Sequence, residues 1–375
     1  MAAEAKHRRI SRELLAEIAA GKYRPPERLP SEAELVERFR VSRPTAARAL
    51  RDLVDQGLIE RRVGSGTFLR SPASAGSDRA QRHLGLLIPG LGTTEIFEVI
   101  CGELAGLARV HDYALLWGGG GQVPRPEATG VEAAEELCEQ FIQRRVSGVF
   151  FAPLEHTEEK EEANRHLAER LRKAGIALVL LDRDLGPFPA RSEFDLVGID
   201  NFASGYLLAA HLLKLGCRRL AFVAPPFFAP TVSIRVAGAR EAMLDRKLPL
   251  RPDFLRVGQP DDLGFVKGLA TGRQVEAVIC ANDRSAAMLI RSLEKLGIRV
   301  PRGIRVVGFD DVKYATLLSV QLTTMHQPCR EIAVTAFRAM LDRIADPSLP
   351  PRSFVLTATL VVRESCGAYL PGRSR

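Results

Sequence analysis

Along most of the chain, short apolar runs alternate with longer segments in which apolar residues recur every three or four positions. The runs of strand length cover residues 83–89, 113–117, 148–152, 177–182, 196–199, 219–223, 277–280 and 305–309. Helices are predicted between them, for example over residues 96–109, 157–174, 203–215, 284–296 and 330–344. Continuous apolar strands alternating with helices predict parallel sheets covered on both faces. Because about 290 residues would strain a single open sheet, the pattern favours two α/β lobes.

The start of the chain has a different pattern, with short helices. Apolar residues recur at helical spacing from Ile10 to Ile18. Ser31 and Glu34 match a capping box, in which each side chain bonds a free backbone N–H at the start of a helix. Ser42 is placed to begin the next helix about three residues after that one ends. Two short helices joined in this way predict a helix-turn-helix.

Two short strand-like segments, residues 58–62 and 66–69, follow the last helix around a Gly-Ser-Gly turn, and the first of them ends in two arginines. A basic hairpin in this position predicts a wing. The next residues are small and polar, with Pro and Gly, which is typical of a flexible connector. We therefore predict a multidomain chain: an α+β winged helix-turn-helix domain over residues 1–72, a linker over 73–82, and a two-lobed α/β domain over 83–375.

The positive charge of the chain is concentrated in its first domain. The net charge is +8, and residues 1–72 alone hold 15 Lys and Arg against 10 Asp and Glu. A local basic excess indicates a partner rich in phosphates, so we expect this end of the chain to bind double-stranded DNA.

Six isolated cysteines without paired spacing are typical of a reducing compartment, and no apolar run reaches the roughly 18 residues that a membrane span needs. The N-terminal segment lacks the apolar core of a signal peptide. We therefore expect a cytoplasmic protein with no membrane partner. No His pair has the i, i+4 spacing of a metal site, and we predict neither a metal nor a cofactor.

Three motifs occur in order over about sixty residues of the first domain: LPSEAEL, FRVSRPTAARAL and GLIERRVGSGTFL. This stretch closely resembles the winged domain of the GntR family of bacterial regulators. The resemblance implies that the start of the recognition helix meets bases and phosphates, and that the wing glycines approach the minor groove. The residues that we expect to contact DNA are Arg8, Ser31, Ser42, Arg43, Thr45, Arg48, Arg62, Gly64 and Gly66.

The recognition helix departs from the GntR pattern at one position. Ala47 stands where the family usually has an Arg, and Arg48 follows it. Either Arg48 reads bases from a rotated angle or that base contact is missing. An arginine here also suits a solvated helix face, and Thr45 also suits a capping role.

Polar side chains follow several of the predicted strands in the second domain. Asp182, Asn282 and Asp310 each come directly after or at the end of an apolar run, as do the adjacent Asp200 and Asn201. In parallel sheets, ligands bind beyond the carboxyl ends of the strands. Carboxylates and amides in such a cleft suit a ligand rich in hydroxyls, although the same residues also suit turns and hinges.

Four segments of the second domain resemble the effector-binding half of LacI-type repressors. They are GIDNFASGYLLAAHLLKLGCRRLAFV, RVAGAREAM, AVICANDRSAAMLIRSLEKLGIRVPRGIRVVGFDD and LTTMHQPCREIA. The resemblance runs from Leu84 to the C-terminus and implies the type I fold of periplasmic sugar-binding proteins. It implies effector contacts at Asp182, Arg235, Asn282, Asp310 and Gln327. We add Phe97, on a predicted rim loop, as an aromatic contact with the effector. The alternative is that Phe97 belongs to the core of its lobe. Trp117 is predicted to lie in the core.

The two resemblances together predict a transcriptional repressor that binds an operator as a homodimer and responds to a small carbohydrate-like effector. This arrangement resembles that of the arabinose-responsive regulators. One alternative is a pyridoxal phosphate enzyme. The chain is short for such an enzyme, and its second half matches the sugar-sensor pattern instead. The other is a constitutive DNA-binding protein whose sensor has lost its ligand, against which the polar residues at the cleft argue.

Overall fold

The structure is a computed structural model, and it describes residues 10–11, 13–14, 17, 23, 29–55, 59–62, 66–69, 82–89, 95–117, 130–271 and 275–370. The chain divides into two compact units, Met1–Ala80 and Gln81–Arg375. Nearly all of the predicted linker lies outside the described residues, so its boundaries stay a prediction. Among the described residues, no helix is long and apolar enough to cross a membrane.

Within its described residues, the first unit contains two complete helices and a hairpin in the predicted order, and the described residues 10, 11, 13, 14 and 17 are helical as well. Helix α1 is Glu32–Phe39, helix α2 is Arg43–Asp55, and strands β1 (Ile59–Arg62) and β2 (Gly66–Leu69) pair antiparallel. The residues of its apolar core are Ile10, Leu14, Leu29, Leu35, Ala46, Ala49, Leu50, Leu53 and Ile59. The predicted winged helix-turn-helix is confirmed.

The capping box at the start of α1 forms as predicted. The Ser31 backbone N–H donates to Glu34 Oε2 at 2.6 Å, and the Glu34 backbone N–H donates to Ser31 Oγ at 3.3 Å. These two bonds satisfy donors that a helix start leaves free. At the other end, Arg40 adopts a left-handed conformation (φ 48°), which turns the chain towards α2.

The first lobe of the second unit is built on a parallel sheet of six strands in the order β13-β7-β6-β5-β3-β4. Its strands are β3 (Arg82–Leu87), β4 (Tyr113–Trp117), β5 (Gly148–Phe151), β6 (Ala177–Leu181), β7 (Asp195–Ile199) and β13 (Ser353–Leu356). Trp117 ends the edge strand β4 and is 55% exposed, so its predicted place in the core is wrong. An edge strand leaves one side without a neighbour, and the apolar pattern alone does not identify the edge.

The second lobe also has six strands, in the order β14-β12-β11-β10-β8-β9. Its strands are β8 (Leu220–Ala224), β9 (Leu255–Val257), β10 (Ala277–Cys280), β11 (Arg305–Asp310), β12 (Thr323–His326) and β14 (Thr359–Val361). Only β14 runs antiparallel to its neighbour. The prediction of two parallel-sheet lobes is confirmed.

Helices cover both faces of each sheet. In the first lobe these are α3 (Ile96–Val110), α4 (Gly130–Gln143), α5 (Lys160–Lys173) and α10 (Cys329–Ala345). In the second lobe they are α6 (Asn201–Lys214), α7 (Pro230–Asp245), α8 (Leu263–Ala270) and α9 (Asp283–Lys295). Burial on both faces explains why the central strands read as continuous apolar runs.

The chain passes between the lobes three times. It crosses after β7 at Asp200, after β12 at Gln327, and between β13 and β14. The first crossing coincides with the polar residues that the sequence singled out at a strand end, and the second with Gln327, which the family resemblance implied. Side chains from both lobes therefore meet beside the crossings.

Helices α6 and α7 cross with their backbones in contact. A Cβ atom on Gly205 would lie 2.0 Å from the Arg235 carbonyl oxygen, and one on Gly238 would lie 2.0 Å from the Phe202 carbonyl oxygen. No other residue fits at either position without moving a helix. This close approach brings Arg235 on α7 next to Asn201 at the start of α6.

Candidate DNA-binding and effector sites

Helix α2 begins with a polar, accessible turn. The Ser42 carbonyl accepts the Ala46 N–H at 3.2 Å, and the hydroxyls of Ser42 and Thr45 lie 2.8 Å apart. The Arg43 side chain is 81% exposed and lies 3.6 Å from Glu32. A helix N-terminus with hydroxyls and a guanidinium is well suited to phosphate.

Arg48 lies on the exposed side of α2. The core face consists of Ala46, Ala49, Leu50 and Leu53, all almost fully buried. Arg48 is exposed and is three residues from Thr45, so both share one face of the helix. Ala47 is half-buried and presents only a methyl group.

Five predicted DNA contacts remain. Ser31 is the N-cap of α1. Arg62 in β1 pairs directly with Gly66 in β2. Arg8 and Gly64 lie outside the described residues. All nine predicted contacts stay predictions.

Side chains of both lobes line one small buried cavity between the sheets. Its lining residues are Ile96, Glu155, Asp182, Arg183, Ala229, Thr231, Val232, Arg235, Ala281, Asn282, Asp310 and Gln327. It encloses about 20 Å³, room for about one water molecule. A larger cavity of about 620 Å³ adjoins it at the mouth of the cleft and shares Glu155 and Asn282 with it. Five of the six predicted effector contacts meet here.

The first lobe contributes a buried cluster of charges at the end of β6. Asp182 is 6% exposed and adopts a left-handed conformation (φ 67°). Arg183 Nη1 lies 3.0 Å from Glu155 Oε1 and 3.4 Å from Asp182 Oδ2, and its Nε donates to the Pro153 carbonyl at 2.7 Å. Asp182 Oδ1 is buried without a hydrogen-bond partner. Burial raises the pKa of Asp182, although Arg183 and Arg235 oppose this.

Arg235 is the central cation of the second lobe. Its Nε donates to Asn201 Oδ1 at 2.7 Å, and its Nη1 donates to the Ala281 carbonyl at 2.7 Å. The guanidinium lies 4.4 Å from the centre of the Phe309 ring. These contacts hold the group in one orientation, which suits a fixed donor in a binding site.

Asp310 and Gln327 form a buried pair at the ends of neighbouring strands. Gln327 Nε2 donates to Asp310 Oδ1 at 2.7 Å, while Gln327 Oε1 is buried without a partner. Burial raises the pKa of Asp310 to about 7, against the lowering effects of Arg235 and the Gln327 bond. Asp310 therefore changes its charge near neutral pH.

Asn282 caps helix α9 as well as lining the cavity. Its Oδ1 accepts the Ser285 N–H at 2.8 Å. The sequence also suited this residue to a turn, and the Oδ1 atom does have such a structural role at the start of the helix. The Nδ2 group belongs to a half-buried side chain that lines both the buried cavity and the mouth.

The prediction that Phe97 stands on a rim loop is wrong. Phe97 is the second residue of α3 and is 1% exposed, and it packs with Ile96 and Ile100 in the core. Its ring does not line the cavity, because the amphipathic helix turns it inwards. It lies instead beneath Arg183, 5.4 Å from the guanidinium carbon.

Sequence reasoning missed Glu155, which holds Arg183 at the cavity wall. The signal was available, because Glu155 follows the apolar run of β5 by four residues. Within the described residues, no group of His, Cys, Asp and Glu side chains is arranged to hold a metal ion.

Two family models match the chain in separate segments. Residues 6–69 match the bacterial regulatory proteins of the gntR family, and residues 209–366 match the periplasmic binding protein-like domain. The segments correspond to the two units of the fold, and both resemblances predicted from the sequence are confirmed.

Two curated relatives align over most of their length. An arabinose metabolism transcriptional repressor from Geobacillus stearothermophilus is 26% identical over 374 residues, or 96% of this chain and 97% of that protein. An HTH-type transcriptional regulator, MalR of Streptomyces coelicolor, is 30% identical over 303 residues, covering 78% of this chain and 83% of that protein. Both are named as regulators, so the prediction of a regulator and not an enzyme is confirmed.

Solved structures share the fold. A transcriptional regulator CelR–cellobiose complex superimposes with a TM-score of 0.64 at 23% identity, over 87% of this chain and 91% of that one. At this identity the likeness establishes the fold alone.

Proposed function

Because the chain belongs to the bacterial HTH-type transcriptional regulators, and joins a gntR-type domain to a LacI-type periplasmic binding protein-like domain, we propose that it is a repressor released from DNA by a carbohydrate-like effector. The effector binds in the cleft between the lobes. The DNA site is an operator with two half-sites, bound by a homodimer. Two similar proteins support the proposal: one is an arabinose metabolism repressor, and the other is a regulator whose solved structure is a complex with cellobiose.

The observation that carries the proposal is the convergence of polar side chains from both lobes on one cavity. Asp182 comes from the first lobe, and Arg235 and Asp310 come from the second. Each is almost fully buried, which costs free energy unless the group has a partner. A ligand that supplies those partners stabilises the lobes against each other.

The position of the cleft supports a link between effector and DNA. Asn201 and Gln327 lie both at the crossings between lobes and next to the cavity. Ligand binding therefore acts at the segments that any change of lobe angle must bend. In a homodimer, a new lobe angle re-spaces the paired DNA-binding domains, and half-sites fixed by the helical repeat then fit less well.

The proposal is tested by selecting duplexes from a random-sequence pool with the purified full-length protein. We expect enrichment of one inverted-repeat sequence, bound at physiological salt at least a thousandfold more tightly than random duplex. Enrichment of no sequence, with binding that falls equally for all duplexes as salt rises, would rule out an operator-specific regulator. Sedimentation of the protein on the selected duplex then measures whether two chains bind.

A further inference from the structure

Another cavity lies beside the crossings between the lobes. It encloses about 380 Å³, which is within the range of small-molecule sites. The first lobe contributes strands β7 and β13 and the segment after β6 to its wall, and the second lobe contributes the starts of α6 and α7. It shares no lining residue with the cavity at the mouth of the cleft, and it shares three with the small buried cavity: Asp182, Arg183 and Thr231. A molecule held here contacts both lobes.

Three large apolar side chains are exposed around this cavity. Phe188 is 50% exposed, Phe202 is 43% exposed and Val355 is 62% exposed. The half-buried side chains of Ile234 and Phe354 continue the apolar surface along the wall. Apolar side chains that gather in one concave place while remaining exposed are typical of a site that a ligand covers.

The charged residues of the wall are paired, with one exception. Arg183 Nη1 lies 3.4 Å from Asp182 Oδ2, and Arg191 Nη1 lies 2.6 Å from Asp184 Oδ2. Among the described residues, nothing forms an ion pair with Asp200, the fifth charged residue of the wall. Its Oδ1 accepts a backbone N–H of the first turn of α6 at 2.8 Å, which leaves Oδ2 open to a ligand. An open carboxylate beside apolar surface complements a positive charge.

The aromatic rings of the wall favour the same charge. Arg352 already lies 5.2 Å from the centre of the Phe354 ring. Within the described part of the chain, no cation lies over the ring of Phe188 or Phe202. A ring face attracts an ammonium group, whereas an anion meets repulsion both from the ring face and from Asp200.

We propose that this cavity is a second ligand site, which binds a small apolar molecule that carries an ammonium group. The ammonium group pairs with Asp200, and the apolar body packs against Phe188, Phe202 and Val355. The site goes beyond the proposed function, because it is formed by a different set of contacts from those that hold the effector in the cleft. Failure of either proposal therefore leaves the other standing.

Calorimetric titration of the full-length protein at pH 7 with three molecules of one skeleton tests the charge preference. Phenethylamine, 2-phenylethanol and phenylacetate differ only in ending with an ammonium, a hydroxyl or a carboxylate group. We expect phenethylamine to bind saturably with one molecule per chain, 2-phenylethanol to bind at least threefold more weakly, and phenylacetate at least tenfold more weakly. The proposal is wrong if phenethylamine does not bind, or if either of the other two binds as tightly.

Three variants test the location. Asp200→Asn removes the charge and keeps a residue that caps helices equally well, so phenethylamine should bind at least fivefold more weakly and 2-phenylethanol as before. Phe202→Ala should weaken the binding of both molecules. Leu207→Ala is the control, because Leu207 lies on the same helix, is 46% exposed and is not part of the wall. It should bind both molecules as the wild type does.

The melting temperature of each variant without ligand verifies that it is folded. If Asp200→Asn binds phenethylamine as tightly as the wild type, the ammonium group does not pair with Asp200 and the proposal is overturned. The same conclusion follows if Leu207→Ala weakens binding as much as Phe202→Ala, since the apolar body would then not lie in this cavity.

Discussion

At the scale of single residues, the site depends on groups whose charge or hydrogen bonding is unusual for a protein interior. Asp182 and Asp310 are carboxyls held out of water at strand ends in different lobes, and Arg235 lies between polar partners and an aromatic ring. Such groups cost stability when alone and contribute binding free energy when a ligand completes their contacts.

Effector affinity is expected to depend on pH through Asp310. Its pKa of about 7 in the free protein means that most of the carboxyl is protonated at pH 6 and ionised at pH 8. An ionised carboxylate accepts hydroxyl donors from a sugar, so affinity should rise about tenfold between these pH values. Calorimetric titration of the sugar at several pH values measures the slope. Asp310→Asn should bind weakly and without this slope; a wild-type affinity that is flat or falls with pH contradicts the assignment.

Arg48 is expected to contact the operator despite the departure at Ala47. Its exposed position on the face of Thr45 predicts that Arg48→Ala loses about 1–3 kcal/mol of operator binding free energy. Arg48→Lys keeps the positive charge but loses the two-nitrogen geometry of the guanidinium. If it recovers part of the operator affinity lost in Arg48→Ala, Arg48 contacts a phosphate; if it recovers none, Arg48 reads a base. Fluorescence anisotropy on the selected duplex gives both values. If Arg48→Ala binds the operator as tightly as the wild type, Arg48 lies on a solvated face of the helix and does not contact the DNA.

The residue scale is also where sequence reasoning reached its limit. Asp182 and Asp310 could be found because the carboxyl ends of parallel strands meet at one edge. Gln327 came from the family resemblance alone, because the strand that precedes it was not predicted. Phe97 could not be assigned, because the face that an aromatic residue presents depends on where its helix begins. The partners of Arg235 could not be found at all, since they depend on how closely two helices cross.

At the scale of elements, most strands of the sheet interiors follow from the apolar pattern, because burial on both faces leaves a strong signal. The strands β9, β12, β13 and β14 were not predicted. Each is three or four residues long; β9, β13 and β14 are partly exposed, whereas β12 is buried but begins with two threonines and so lacks an apolar run. Their place in the two sheets depends on long-range pairing that no local pattern encodes.

The crossing of α6 and α7 is expected to tolerate no side chain at its centre. Gly205→Ala puts a methyl group against the Arg235 carbonyl, so it should destabilise the protein by about 3 kcal/mol and displace Arg235 from Asn201. The matched control is Gly268→Ala in helix α8, where a Cβ meets nothing within 4 Å. That variant should be neutral or more stable by up to about 1 kcal/mol. Urea unfolding gives the free energy of unfolding of both variants. If Gly205→Ala is as stable as Gly268→Ala, the two helix backbones are not in contact at Gly205.

The start of helix α5 and the loop before it contact the loop after β8 across the mouth of the cleft. The His156 N–H donates to the Phe227 carbonyl at 2.8 Å, and Lys160 Nζ donates to the Phe228 carbonyl. Both bonds join the first lobe to the second. We expect Lys160→Met to weaken sugar binding roughly tenfold, because the closed lobes lose a charged hydrogen bond.

The control for this contact is Lys173→Met, at the exposed end of the same helix, where the side chain is 75% exposed. It should bind the sugar as the wild type does. Both variants should bind the operator normally without sugar. Unchanged sugar affinity in Lys160→Met would show that the loop contact does not hold the closed state.

At the scale of the whole molecule, two compact units carry separate tasks. The basic excess of residues 1–72 and the helix-turn-helix lie in one, and the cavity and its crossings lie in the other. The pattern and motifs predicted this division, because each unit has its own periodicity. In the proposed homodimer, an effector bound in one unit would change the affinity of the other unit for DNA. This coupling is measured as the ratio of the operator affinities with and without the effector.

We expect a sugar bound in the cleft to release the operator, and anisotropy of the selected duplex titrated with protein measures this release. With a saturating sugar that binds in calorimetry, the operator Kd should be at least tenfold higher than without it. Asp182→Asn should require a higher sugar concentration for the same release. If a sugar that does bind leaves the operator affinity unchanged or increases it, the protein is not a repressor released by that sugar.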